Sequence, residues 1–182
     1  MIRGEIVAGD LLYHAVHGLC RIDKITKQKL AGKEVRYYSL VPKLTNRMKA
    51  RFTISAADME ASGFHLLVSL KEANKILDYF KAGDRAKIPP DAEPYNVTSF
   101  SQQTQTWGLA QAILSFSHDK FEAKDQRKRQ ALERSAKGLV GELAFVFNVT
   151  LKETAARVQK SLGSVAKINP SVLTALANAC ED

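Results

Sequence analysis

Apolar and polar residues alternate through the first third of the chain, and that alternation is broken at short intervals by glycine. Gly9-Asp10 precedes the apolar run Leu11-Leu12-Tyr13, and His17-Gly18 marks a turn. The segment 19–25 then alternates, from Leu19-Cys20-Arg21 through Ile22-Asp23-Lys24 to Ile25, and Ala31-Gly32 forms a second turn. Further runs cover residues 35–41 and 50–54, and Phe64-His65-Leu66-Leu67-Val68 is a short apolar strand or connector. Period-two alternation between glycine-bearing turns predicts half-buried antiparallel strands. Strands this short, packed this closely, predict a small, strongly bent sheet or open barrel with no room for an interior ligand, so its work falls on the outside.

The period changes after Val68. Ser69-Leu70-Lys71-Glu72 is a capping box, followed by Ala73, Ile76, Leu77 and Phe80 at helical spacing and by Gly83 as a stop. Residues 84–96 hold Pro89, Pro90 and Pro94 in a polar setting and read as a linker. Beyond it, Leu109, Ala112, Ile113 and Phe116 form one apolar stripe. Asp125 can cap a long helix that begins with Arg127, Lys128 and Arg129 and continues through Leu132, Ala136, Leu139, Leu143 and Phe147. Thr150-Leu151-Lys152-Glu153 is a second capping box, and Asn169-Pro170 starts a last short helix. The expected fold class is α+β: a β-barrel domain over residues 1–68, a bridging helix and linker over 69–96, and an all-α helical bundle over 97–182.

The charge sharpens this picture. Of the 182 residues, 27 are Lys or Arg and 19 are Asp or Glu, for a net charge of +8. Residues 21–51 hold ten cations against two acids, and residues 119–137 hold seven against four. Two separated basic zones favour nucleic acid or an acidic protein surface, and the same distribution also fits a solvated basic face. No apolar run reaches the roughly 20 residues of a membrane span. The N-terminus lacks a signal-peptide pattern, and Cys20 and Cys180 lie in different elements, which fits a reducing cytoplasm.

Candidate chemistry is sparse. His14 and His17 are three apart with no Cys or carboxylate cluster nearby and read as turn and surface histidines, not metal ligands. Gly138-Leu139-Val140-Gly141-Glu142 lies inside an apolar-periodic helix, so Gly141 reads as a packing position and Glu142 as a polar or capping partner. No phosphate loop, nucleophile elbow or zincin helix is present. The expectation is a protein that is not an enzyme.

Gly9-Asp10-Leu11-Leu12-Tyr13, His17-Gly18, Tyr37-Tyr38-Ser39-Leu40, Ile54-Ser55, Asp58 and Gly63, in that order and spacing, resemble the opening pattern of the bacterial CarD/CdnL transcription regulators. The same module is similar to the RNA-polymerase-interacting domain of transcription-repair coupling factors. Leu139-Val140-Gly141-Glu142-Leu143-Ala144 with Thr150-Leu151-Lys152-Glu153 resembles the family's helical signature. The resemblance covers residues 5–163 or so. It implies a Tudor-like N-terminal domain that docks on the β subunit of RNA polymerase. It also implies a helical domain that contacts promoter DNA, without sequence specificity, at the upstream edge of the bubble and modulates the open complex. No cofactor, metal or catalysis is implied, and the expected setting is cytoplasmic, nucleoid-associated, monomeric and without a membrane.

On this resemblance the polymerase-binding residues are Gln28, Lys49, Arg51 and Thr53, and the DNA-binding residues are Tyr95, Trp107, Arg127, Lys128, Arg129 and Arg134. Two departures stand out. Family members carry a Trp followed by basic residues where the helical domain begins, but here that region is Pro94-Tyr95-Asn96-Val97-Thr98. Tyr95 is the nearest aromatic, and Trp107, about one helix later, suits either a core position or the wedge. The second departure is that Thr53 stands where some members carry a β-contacting Arg, leaving Arg51 two residues earlier on the same strand face. The alternatives are an adaptor that binds polymerase without wedging DNA, and a stand-alone DNA-binding protein acting through the Arg127-Lys128-Arg129 helix.

Overall fold

The computed structural model describes residues 6–30, 32–43, 51–59, 61–83, 87, 105–118, 125–163 and 168–180. The linker expected at 84–96 lies outside these residues, apart from Lys87. The fold is mixed α+β. The chain forms two compact units, Met1–Leu67 and Val68–Asp182.

The first unit is a five-stranded antiparallel sheet of β1 (Leu11–His14), β2 (Gly18–Leu30), β3 (Lys33–Pro42), β4 (Phe52–Ser55) and β5 (His65–Leu66), in the order β4-β3-β2-β1-β5. Cross-strand pairs explain its core. Leu12 lies opposite Cys20 and Leu66, Ile22 opposite Leu40, Ile25 opposite Tyr38, and Leu40 and Tyr38 opposite Phe52 and Ile54. All of these side chains belong to one apolar cluster, completed by Ile6, Met59 and Phe64. The alternation read from the sequence thus places one face of every strand in the same core.

The sheet is strongly bent, as the spacing predicts, but does not close into the β-barrel expected for residues 1–68. β4 and β5 stand at its two edges and share no backbone pairing among the described residues. Edge strands of a flat five-stranded sheet would lie roughly 19 Å apart. Yet Phe52 in β4 and Phe64, just before β5, bring their ring centroids to 6.0 Å, so the sheet curls until its edges touch through side chains. With only two residues, β5 offers too little backbone to complete a ladder.

A register shift between Ile22 and Lys24 places Asp23 in a β-bulge. The extra residue keeps Ile22 and Ile25 on the same face although an odd number of positions separates them. Past the bulge, β2 and β3 run well beyond the alternating segments expected for them and pair with each other as far as Leu30 and Lys33. Gly32 closes this hairpin with φ of 80°, a backbone region that a side chain would disfavour.

The second unit holds α1 (Leu70–Ala82), α2 (Thr106–His118), α3 (Gln126–Phe147), α4 (Leu151–Leu162) and α5 (Pro170–Asn178). The helix starts follow the sequence signals. Ser69 and Thr150 complete reciprocal capping boxes with Glu72 and Glu153, Asp125 accepts from the Lys128 N–H, and Asn169 accepts from the Ser171 N–H. Asn148 ends α3 in the left-handed conformation, with φ of 52°.

α3 packs against all four other helices. Its Leu132, Leu139, Val140 and Leu143 are fully buried, and each such side chain contributes about 1.5–3 kcal/mol of burial. Expected as a bridge, α1 instead places Ala73, Ile76 and Phe80 in the core of this unit and packs on α4, α3 and α2.

Candidate docking edge and basic helix face

Among the described residues only β3 pairs with β4, which leaves the other edge of β4 without a backbone partner there. Phe52 and Ile54 turn into the core, whereas Thr53, opposite Ser39, is exposed. The strand ends in a side-chain-closed turn. Asp58 donates its N–H to Ser55 Oγ at 3.1 Å, and the Ser55 hydroxyl donates to Asp58 Oδ2 at 2.6 Å. Ala56 N–H adds a bond to the Arg36 carbonyl at 2.8 Å.

Arg51 stands just before this strand, exposed, with Nη1 at 2.9 Å from Asp23 Oδ2. The bulge therefore supplies the anion that holds the guanidinium. A pair this exposed contributes about 0–1 kcal/mol, so Arg51 can change partners at little cost. Lys49 lies outside the described residues. Gln28 is not brought to this group: it pairs with Val35 far along the hairpin, about 13 Å of strand beyond the level of Ser39 and Thr53.

Beneath the β4 edge lies an aromatic cluster that sequence reasoning missed. His17 packs on Phe52 with centroids 4.6 Å apart, His14 stacks on His17 at 4.6 Å, and His14 meets Phe64 at 4.8 Å. His14, expected at the surface, is half-buried. Its Nδ1 accepts from the N–H groups of Val16 and His17 at 3.0 and 3.1 Å, which fixes the proton on Nε2. Burial first, and the charge of His17 second, push its pKa down to about 4, against the raising effect of a hydrogen bond to the Ser62 backbone. Among the described residues no group of three or more His, Cys, Asp or Glu side chains is placed to share a metal ion. The His14-x-x-His17 spacing was the available signal, but its meaning depends on Phe52 and Phe64, which are distant in sequence.

In the helical unit, Asp125 caps α3 while Arg127, Arg129, Arg134 and Lys137 are exposed and Lys128 is half-buried. At 100° per residue, Arg127, Arg134 and Lys137 fall within one arc, opposite the buried Leu132, Ala136 and Leu139. Trp107, at the second position of α2, packs against the helical core and meets Tyr79 edge-to-face at 5.7 Å. Tyr95 lies outside the described residues.

Glu142 is fully buried on α3. Its Oε1 accepts from the Val68 N–H at 3.1 Å and its Oε2 from the Thr106 hydroxyl at 2.8 Å. The carboxylate so ties the approach to α1 and the first residue of α2 to the central helix, and negative charge suits that helix start.

No protein-family model matches this chain, and a search of characterised proteins finds no match either. Among the described residues no helix is long and apolar enough to cross a membrane.

Proposed function

We propose that this chain is a CarD-like transcription regulator whose Tudor-like β unit docks on the β subunit of RNA polymerase and whose helical bundle contacts promoter DNA near the upstream edge of the bubble. The edge of β4 that is unpaired among the described residues carries this reading. It offers unpaired backbone for strand addition to another sheet, with Arg51 and Thr53 beside it to set register. The motif resemblance supplies the identity of the partner. Retention of core polymerase, and then of the isolated β lobe, on the immobilised full chain tests the reading in the absence of DNA. Failure to retain either would overturn it.

A second reading, DNA binding without polymerase, draws on the exposed arc of Arg127, Arg134 and Lys137 on α3. It calls for retention of duplex DNA by the chain alone with no retention of polymerase. Trp107 packs into the helical core, and so the adaptor form of the first reading, polymerase docking without DNA wedging, stays within the proposal.

A further inference from the structure

β2 and β3 leave the sheet behind them. β1 pairs with β2 only as far as Arg21, and β4 pairs with β3 only as far as Tyr37. Among the described residues, 27–30 and 33–36 therefore pair only with each other, apart from the bond from Ala56 N–H to the Arg36 carbonyl. This two-stranded arm is about 13 Å long. Residues 24–36 carry Lys24, Lys27, Lys29, Lys33 and Arg36 against Glu34 alone.

The register places these cations on both faces. Lys27 lies opposite Arg36 and Lys29 opposite Glu34, on the face that continues the core side of Ile25 and Tyr38. Lys24 and Lys33 lie on the other face, with Gln28, Val35 and Leu30. Leu30, at the tip, is 56% exposed, an uncovered apolar side chain where the hairpin turns. Glu34 engages Lys27 at 2.7 Å in an exposed pair that a phosphate can exchange.

We propose that the β2–β3 arm enters a groove of duplex nucleic acid, with lysines from both faces meeting the phosphates of the flanking strands and Leu30 meeting the groove floor. A flat acidic protein surface would meet only one face of a ribbon, whereas a groove presents anionic walls on both sides. The B-DNA major groove admits a two-stranded ribbon, and the arm is long enough to cross its width of about 12 Å. Such contacts position the arm without specifying a sequence. The proposal adds a DNA contact to the β unit and does not depend on polymerase docking.

The test is anisotropy titration of a labelled mixed-sequence duplex with the full chain, without polymerase, across a salt series. Replacing Lys24, Lys27, Lys29 and Lys33 together with Gln should make the slope of log K against log salt shallower by up to about 3.6, since each lost phosphate contact removes about 0.9. The matching Lys→Arg quadruple variant should keep the parental slope. Leu30→Ser should weaken affinity severalfold with the slope unchanged. Circular dichroism melting of each variant separates charge loss from misfolding. An unchanged slope in the Gln variant overturns the proposal. So does loss of binding to polyglutamate with an unchanged DNA slope, which would assign the arm to an acidic protein surface.

Discussion

The Thr106 hydroxyl and the Glu142 carboxylate, 36 residues apart in sequence, meet at 2.8 Å where Glu142 has no solvent exposure. Val68 N–H completes the grip from 74 residues away. Removing the carboxylate takes an acceptor from a buried hydroxyl and from a part-buried N–H on two other segments. Glu142→Ala should cost about 2–5 kcal/mol, from two neutral donors that lose their acceptor, and Thr106→Val about 1–3 kcal/mol. Urea unfolding of both single variants and the double variant would show their coupling. Additive losses would mean that the two groups do not interact as drawn.

Trp107 is half-buried against the helical core, with Tyr79 at its edge. Trp107→Ala should therefore destabilise the helical unit by about 2–4 kcal/mol, at or below the range for a full core tryptophan. Thermal melting checks this. A melting temperature within error of the parent, with loss of open-complex stabilisation, would instead make Trp107 a DNA wedge.

Arg51→Glu places a second carboxylate beside Asp23 and reverses the charge next to the β4 edge. Folding stability should change by no more than about 1 kcal/mol, because the pair is exposed. Binding to the β lobe should weaken by about 1–3 kcal/mol if the guanidinium meets a partly buried partner. Calorimetric titration against the isolated lobe would show it, and an undiminished affinity would move the interface off this edge.

His14 makes the β unit sensitive to acid. Its pKa falls from the usual 6.5 to about 4 in the folded chain, so the unfolded chain binds the proton more readily. The stabilisation is complete above about pH 6.5, is lost as pH falls toward 4, and does not change further below that. Discounted for its half exposure, the loss is about 1–2 kcal/mol. His14→Asn keeps an acceptor for the Val16 and His17 N–H groups and removes the titration. Denaturant midpoints at pH 7 and pH 4.5 should converge in that variant and differ in the parent. Equal differences in both would exclude His14 as the source.

Arg127, Arg134 and Lys137 share the exposed arc of α3, where cations in the first turn oppose the helix dipole. If the three meet phosphates, their replacement with Gln should flatten the salt dependence of duplex binding by about 2.7 while leaving β-lobe retention intact. An unaltered slope would exclude this face as a DNA contact.

Local chemistry was legible in the sequence, and long-range chemistry was not. Ser69 with Glu72, Thr150 with Glu153 and Asn169 before Pro170 each complete their cap within a few residues, so their type and spacing suffice. The cross-strand core was legible for the same reason, since alternation needs no knowledge of the partner strand. Closure of the sheet depends on how much backbone β5 offers, and the apolar run 64–68 does not reveal that only His65 and Leu66 pair. Glu142 could be read as a polar partner, but Val68 and Thr106 could not be named from spacing. Gln28 stands with Arg51 in the expected docking group on the family resemblance alone. The hairpin separates them, because polar residues pair equally well inside a sheet and beyond it.

The bulge at Asp23 sits just past the last β1–β2 pair, three residues before β4 also ends and β2 and β3 continue by themselves. Ile22 faces Leu40 and Lys24 faces Ser39 across it, so the pairing on either side is already in step without the intervening residue. Excising Asp23 would leave every later pair intact while removing the extra twist that a bulge imposes and the carboxylate that holds Arg51. One residue thus works as an aiming joint: it sets the direction of the hairpin, while the ladder alone sets its register.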